Sequence, residues 1–195
     1  MFRLQEKVDS NLIYPLNEFY EELGLAQPMA VQVEGRDIPE PYRSLLVHDR
    51  DMTPTLEQAH DQRIHLRVLQ YAIAENVMSR QVVLVPENET QPVAFGAIKI
   101  NLQHFHDEAK RLVLERKQPL GTILRTQGME HLGRPDAFMR ITPDALIHSA
   151  LGLQESTALY GRRNVIAGGG GQTLAQVVEI LAPRNGKSSP ERNRG

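Results

Sequence analysis

The 195-residue sequence contains no cysteine, which excludes disulfides, thiolate metal sites and a cysteine nucleophile. Its first residues, Met1-Phe2-Arg3-Leu4-Gln5-Glu6-Lys7, lack the apolar core of a signal peptide, and no apolar run is long enough to span a bilayer. An excess of one charge is also missing. The formal net charge of −2 gives no reason to expect a broad surface for nucleic acid or another polyanion. There is no internal repeat and no clear helix-turn-helix segment. These absences leave a cytoplasmic enzyme or binding domain as the expectation, with no nucleic-acid partner and no membrane span.

What is present suits a globular fold. Hydrophobic residues make up 41% and charged residues 24%, and the length suffices for one domain with a substantial core. The segments Ile64 to Ala74, Val77 to Val85 and Val93 to Ile100 are rich in β-branched residues and read as strands, with a turn from Pro86 to Pro92. Ala137 to Ile141 reads as a short strand, and Leu159 to Ala167 with Thr173 to Leu181 as a hairpin around Gly168 to Gly171. Val31-Gln32-Val33 is a further short candidate. Helical spacing runs from Asp9 to Leu25, limited early by Pro15, and from Leu102 to Lys117. Thr53 and Pro54 suggest an N-cap and first helical residue, and Thr142 to Ala145 another helix start. Hairpins interrupted by helices predict an α+β domain: a single antiparallel sheet with helices mainly on one face. Residues 184–195 contain no apolar side chain and are expected to be a disordered tail.

Two charges stand out against this pattern. Arg80, in Ser79-Arg80-Gln81-Val82-Val83-Leu84, and Glu179, in Val177-Val178-Glu179-Ile180-Leu181-Ala182-Pro183, each interrupt a segment that reads as a buried strand. A charge there is costly unless it meets another charge or a ligand. The bland alternatives are a mutual salt bridge or strand ends turned to water. His104 and Glu108 would share a face if one helix covered both, but no third ligand accompanies them, so no metal site is expected. Gly168 to Gly171 lack the Lys-Ser/Thr of a phosphate loop and lead into a strand.

Five separated motifs, in order, resemble the chorismate pyruvate-lyase family. They are Leu45-Leu46-Val47-His48-Asp49-Arg50-Asp51-Met52-Thr53, the arginine-bearing strand at Ser79 to Leu84, Gln118-Pro119-Leu120-Gly121, Leu159-Tyr160-Gly161-Arg162-Arg163, and the closing Val177 to Pro183. The resemblance covers Leu45 to Pro183 and implies one chorismate lyase-like domain over 1–183, with 1–44 outside the recognisable part. It implies a cofactor-independent, metal-free carbon–oxygen lyase that eliminates pyruvate from chorismate to leave 4-hydroxybenzoate. Arg80 and Glu179 would be the catalytic residues. Arg80 and the Leu120 backbone N–H would hold the ring carboxylate, Glu179 the hydroxyl end, and Met52 would line the site. Arg162 or Arg163 would take the second carboxylate, alternation letting only one face inward. The wider fold group also contains effector-sensing domains of transcription regulators. The second expectation is therefore a non-catalytic domain that senses an aromatic or cyclohexadiene carboxylate.

Overall fold

The computed structural model describes residues 12–183. Asp9 to Asn11, where the first helical pattern begins, and the tail from 184 lie outside the described residues. Within them run α1 (Leu16–Glu22), β1 (Ala30–Val33), α2 (Tyr42–Leu46), α3 (Met52–His60), β2 (Ile64–Ala74), β3 (Val77–Pro86), β4 (Ala94–Asn101), α4 (Asp107–Glu115), α5 (Leu120–Thr126), β5 (His131–Ile141), α6 (Ala145–Leu151), β6 (Leu159–Gly168) and β7 (Thr173–Leu181). The strands form one antiparallel seven-stranded sheet in the order β1-β5-β6-β7-β4-β3-β2.

Alternation along the central strands gives the sheet two apolar faces. Phe95 and Ala97 of β4 and Val178 and Ile180 of β7 meet Leu16, Phe19 and Tyr20 of α1 and Ile147 and Leu151 of α6. Ile98, Ile100, Ala175 and Val177 face the other way, onto Ala109 and Val113 of α4 and Leu120, Ile123 and Leu124 of α5. On that same side Met52 and Leu56 of α3 and Leu46 of α2 close over Leu84, Ala94 and Leu181. Four of the six helices thus cover one face, and α1 and α6 cover the opposite one.

The elements depart from their sequence expectations at identifiable points. The helix expected over Leu102 to Lys117 is a 3-10 turn at Leu102–His104 followed by α4. His106 ends the break by capping α4, its Nδ1 accepting from Ala109 N. His104 and Glu108 therefore do not share a helix. The start of α3 lies earlier than Thr53: Asp51 is the N-cap, although its side chain makes no capping bond. Asp144 caps α6 conventionally, accepting from Ile147 N at 2.9 Å. The strand expected from Ala137 begins at His131 instead. Its continuity is hidden in the sequence by Pro135 and by a bulge between Pro135 and Ala137 that leaves Asp136 unpaired in the ladder.

Candidate functional site

The register of four central strands builds the floor of one cavity. Arg80 of β3 lies beside Ile98 of β4, Ile98 beside Val177 of β7, and Val177 beside Asn164 of β6. Two residues along, Val82, Gly96, Glu179 and Arg162 form a parallel row on the same face. Three strand spacings of ~4.8 Å put the Arg80 and Asn164 Cα atoms roughly 14 Å apart. Met52 and Thr53 of α3, with Pro119, Leu120 and Gly121 at the start of α5, form the opposite wall. The cavity has a volume of about 80 Å³, several times the ~10–15 Å³ that one water needs on the same measure.

Arg80 is 1% exposed. One guanidinium nitrogen, Nη2, donates to Gln118 O at 3.2 Å, while Nε and Nη1 have no protein partner. Burial, with the positive charge of Arg116 nearby, pushes its pKa down to about 10, so it remains charged at neutral pH. A buried arginine with two unfilled donor positions, on the wall of a cavity, is a preformed contact for an anion.

Arg162 is fully buried, but each of its guanidinium nitrogens has a protein partner. Nε donates to Glu179 Oε2 at 2.6 Å, Nη1 to His48 O at 2.8 Å and Leu46 O at 3.3 Å, and Nη2 to Arg50 O at 3.1 Å. Arg162 thereby ties the segment after α2 down onto β6 and β7. His48 completes this clasp. Its Nε2 donates to Leu45 O at 2.8 Å, and Nδ1 accepts from Arg50 N at 3.2 Å, an arrangement that requires the neutral ring. Burial first, and then the Arg162 charge, lowers the His48 pKa. Asp51, which also lines the cavity, lies 3.1 Å from Nε2 of His131, and its carboxylate makes no capping bond to α3.

Of the six residues expected at the site, Arg80, Leu120, Glu179, Met52 and Arg162 line this cavity. Arg163 does not, and its expected place among the binding residues is corrected. It points to the other face of the sheet, where Nε donates to Asp136 Oδ1 at 2.9 Å, beside the bulge. Arg162 faces inward, as alternation demands of one of the pair, but serves backbone carbonyls and Glu179 instead of an open second-carboxylate position. Nor do Arg80 and Glu179 bridge each other: the partner of Glu179 is Arg162. The residue missed from sequence is Asn164. It is 3% exposed, lines the cavity, and its Oδ1 has no partner. Its position two residues after Arg162 on the same strand was the available signal.

No protein-family model matches the chain, and no curated protein does. Solved structures do resemble it. The effector domain of PhnF from Mycobacterium smegmatis superposes with a TM-score of 0.53 at 14% identity, covering 69% of this chain and 90% of that one. PhnF from the same organism gives a TM-score of 0.50 at 14% identity, covering 84% of each chain. A GntR-family transcriptional regulator from Bacillus cereus is also similar, at a TM-score of 0.44 and 11% identity, covering 63% of this chain and 93% of that one. The chain thus has the α+β fold of the PhnF effector domain, of chorismate lyase-like type. None of these structures is named a lyase, and the expected carbon–oxygen lyase, with its chorismate, 4-hydroxybenzoate and pyruvate chemistry, is withdrawn, because the fold it was read from is matched by an effector domain and its regulator. The site itself is consistent with that correction. Chorismate is a dianion, and of the two arginines on the cavity wall only Arg80 has guanidinium nitrogens with no partner at all. Among the described residues, no helix is long and apolar enough to cross a membrane.

Proposed function

We propose that this chain is a small-molecule sensing domain that binds an organic carboxylate, aromatic or cyclohexadiene in type, without transforming it. The observation that carries this reading is the buried guanidinium of Arg80, with Nε and Nη1 unpartnered on the wall of an otherwise mostly apolar cavity. An uncompensated buried charge is maintained against its desolvation cost, and an anionic ligand is the group that offsets it. Arg80 takes the carboxylate in two-point geometry, aided by the backbone N–H of Leu120, which as the first residue of α5 has no intrahelical acceptor. Ile98, Val177 and Met52 contact the ring. Glu179, held through Oε2 by Arg162, presents Oε1 to a ligand hydroxyl. The likeness to an effector domain supports the same reading at the level of fold.

Isothermal titration with 4-hydroxybenzoate as a probe tests it. Binding is expected for the wild type and a loss of more than about 2 kcal/mol for Arg80→Met, the value of a charge-assisted bidentate contact in a desolvated site. Incubation with chorismate is expected to release no pyruvate. Probe binding that survives Arg80→Met, or pyruvate release that depends on Glu179, overturns the proposal.

A further inference from the structure

Two arginines and two carboxylates line the cavity, Arg80 and Arg162 against Asp51 and Glu179, so the formal charges of its wall sum to zero. Arg162 and Glu179 cancel each other at 2.6 Å. Asp51 is left as the charge that opposes an anion at Arg80. Its partner lies outside the cavity wall. His131, at the start of β5, places Nε2 3.1 Å from Asp51 Oδ2 and Nδ1 2.9 Å from Met129 O. Both side chains are largely buried, at 15% and 20% exposure. A carbonyl and an ionised carboxylate can only accept. A neutral imidazole has one N–H and could serve only one of them, whereas the imidazolium serves both. The surroundings hold the pair together. A Cβ on Gly121 of α5 would lie 2.8 Å from Asp51 Oδ2, and β6 sets Gly168 beside His131. Glu130, the residue before His131, lies against Gly169 in the β6–β7 turn. The segment before α3 also carries His48, Asp49 and Arg50, and the bonds of His48 require its neutral ring.

We infer that His131 is a positioning residue for the anion: as imidazolium it cancels Asp51, leaves the cavity one net positive charge, and makes ligand binding depend on the proton this pair holds. The inference rests on the sensing reading above and adds its regulation. With the pair protonated, Arg80 is the one charge on the wall left for a monoanion to balance. With the proton gone, Asp51 offsets Arg80 and the charge of the ligand is surplus. A unit charge roughly 10 Å away, at an effective dielectric of about 20, changes anion affinity on the order of tenfold. By linkage, binding takes up protons wherever the free pair has begun to lose its own. Affinity therefore falls as pH rises through the range in which histidine side chains titrate, about pH 5–8.

Isothermal titration of the full chain with 4-hydroxybenzoate, from about pH 6 to about pH 8 and in buffers of different ionisation enthalpy, tests this. The wild type is expected to bind up to about tenfold more weakly at the upper end and to take up a fraction of a proton on binding. His131→Gln, which keeps a donor for Asp51 but not the charge, should show the weak affinity at every pH and no linked proton. Combining it with Asp51→Asn removes both charges and should restore tight binding that is flat with pH. A purely structural His131 would weaken binding at every pH with no rescue by Asp51→Asn, and that outcome overturns the inference. Proton uptake that persists in His131→Gln also overturns it, since another group such as His48 would then be the source. Wild-type binding that depends on Arg80 but is flat with pH removes this inference alone, even if the His131 variants do not fold, and leaves the sensing reading standing. If the probe binds at no pH, or binding is indifferent to Arg80, the sensing reading falls and this inference with it.

Discussion

Nε of Arg162 donates to Oε2 of Glu179 across 2.6 Å, joining adjacent strands at a register pair on the cavity face. The same guanidinium holds the carbonyls of Leu46, His48 and Arg50, so one side chain fastens the sheet to the segment that leads into α3. Removing it leaves the Glu179 carboxylate and the His48 and Arg50 carbonyls without this donor, while Leu46 O keeps the His48 N–H. Arg162→Met is expected to cost about 3–5 kcal/mol, the usual penalty for breaking a buried pair from one side. Glu179→Gln, whose amide oxygen can still accept from Nε, should cost about 1 kcal/mol. Urea unfolding midpoints of the two variants check the difference, and equal losses would contradict it.

Arg80 should behave in the opposite sense. Its guanidinium has one hydrogen bond and no counter-charge, so without ligand it is a net cost to the fold. Arg80→Met keeps an unbranched, similarly shaped side chain and is expected to stabilise the unliganded protein by about 1–3 kcal/mol, while abolishing carboxylate binding. Chemical denaturation beside titration calorimetry reads both quantities. A destabilised Arg80→Met that still binds would place the arginine in a structural role.

His48 makes stability depend on pH. Burial and the Arg162 charge lower its folded-state pKa, so the unfolded chain takes up the proton first as pH falls. The stability this neutral ring contributes is fully present above the ordinary histidine value of ~6.5 and declines as pH drops below it. Denaturation midpoints measured from neutral pH down to about pH 5 should show the decline in wild type and less of it in His48→Gln. A pH dependence identical in both proteins would assign the slope to other groups.

Two glycines separate steric from conformational need. A Cβ on Gly96 would collide with Val178 O in the neighbouring strand, so Gly96→Ala must distort the β4–β7 ladder and is expected to cost about 3 kcal/mol. Gly152, at φ +61° with open space around its Cβ position, ends α6. There alanine meets only the left-handed backbone penalty, about 1 kcal/mol. Thermal unfolding of both variants, with near-UV circular dichroism for packing, measures the contrast.

Much of this architecture was legible in sequence because strands state their burial by alternation. The segments from Ile64, Val77, Val93, Leu159 and Thr173 all became strands close to their expected limits. The strand from Ala137 was read too short because Pro135 and Asp136 break the pattern that the bulge absorbs. Arg80 and Glu179 were recognisable as anomalies for the same reason that strands were: a charge among β-branched residues has to be answered by something. What answers each was not legible. A mutual salt bridge was one alternative for these two opposite charges, yet Glu179 is met by Arg162 and Arg80 by none of the described carboxylates.

The sequence by itself determined an antiparallel α+β domain, one inward arginine of the Arg162–Arg163 pair, and two anomalous charges on apolar strands, Arg80 and Glu179. These follow from local periodicity, a property of neighbours along the chain. Tertiary structure decided which arginine faces inward, that its donors are spent on carbonyls more than a hundred residues earlier, and that Asn164 joins Arg80 at one cavity. Those outcomes depend on strand register and on the docking of α3 and α5 over the sheet. Both are set by packing between segments far apart in the chain, and a shift of one residue in register would turn every side chain of a strand to the other face.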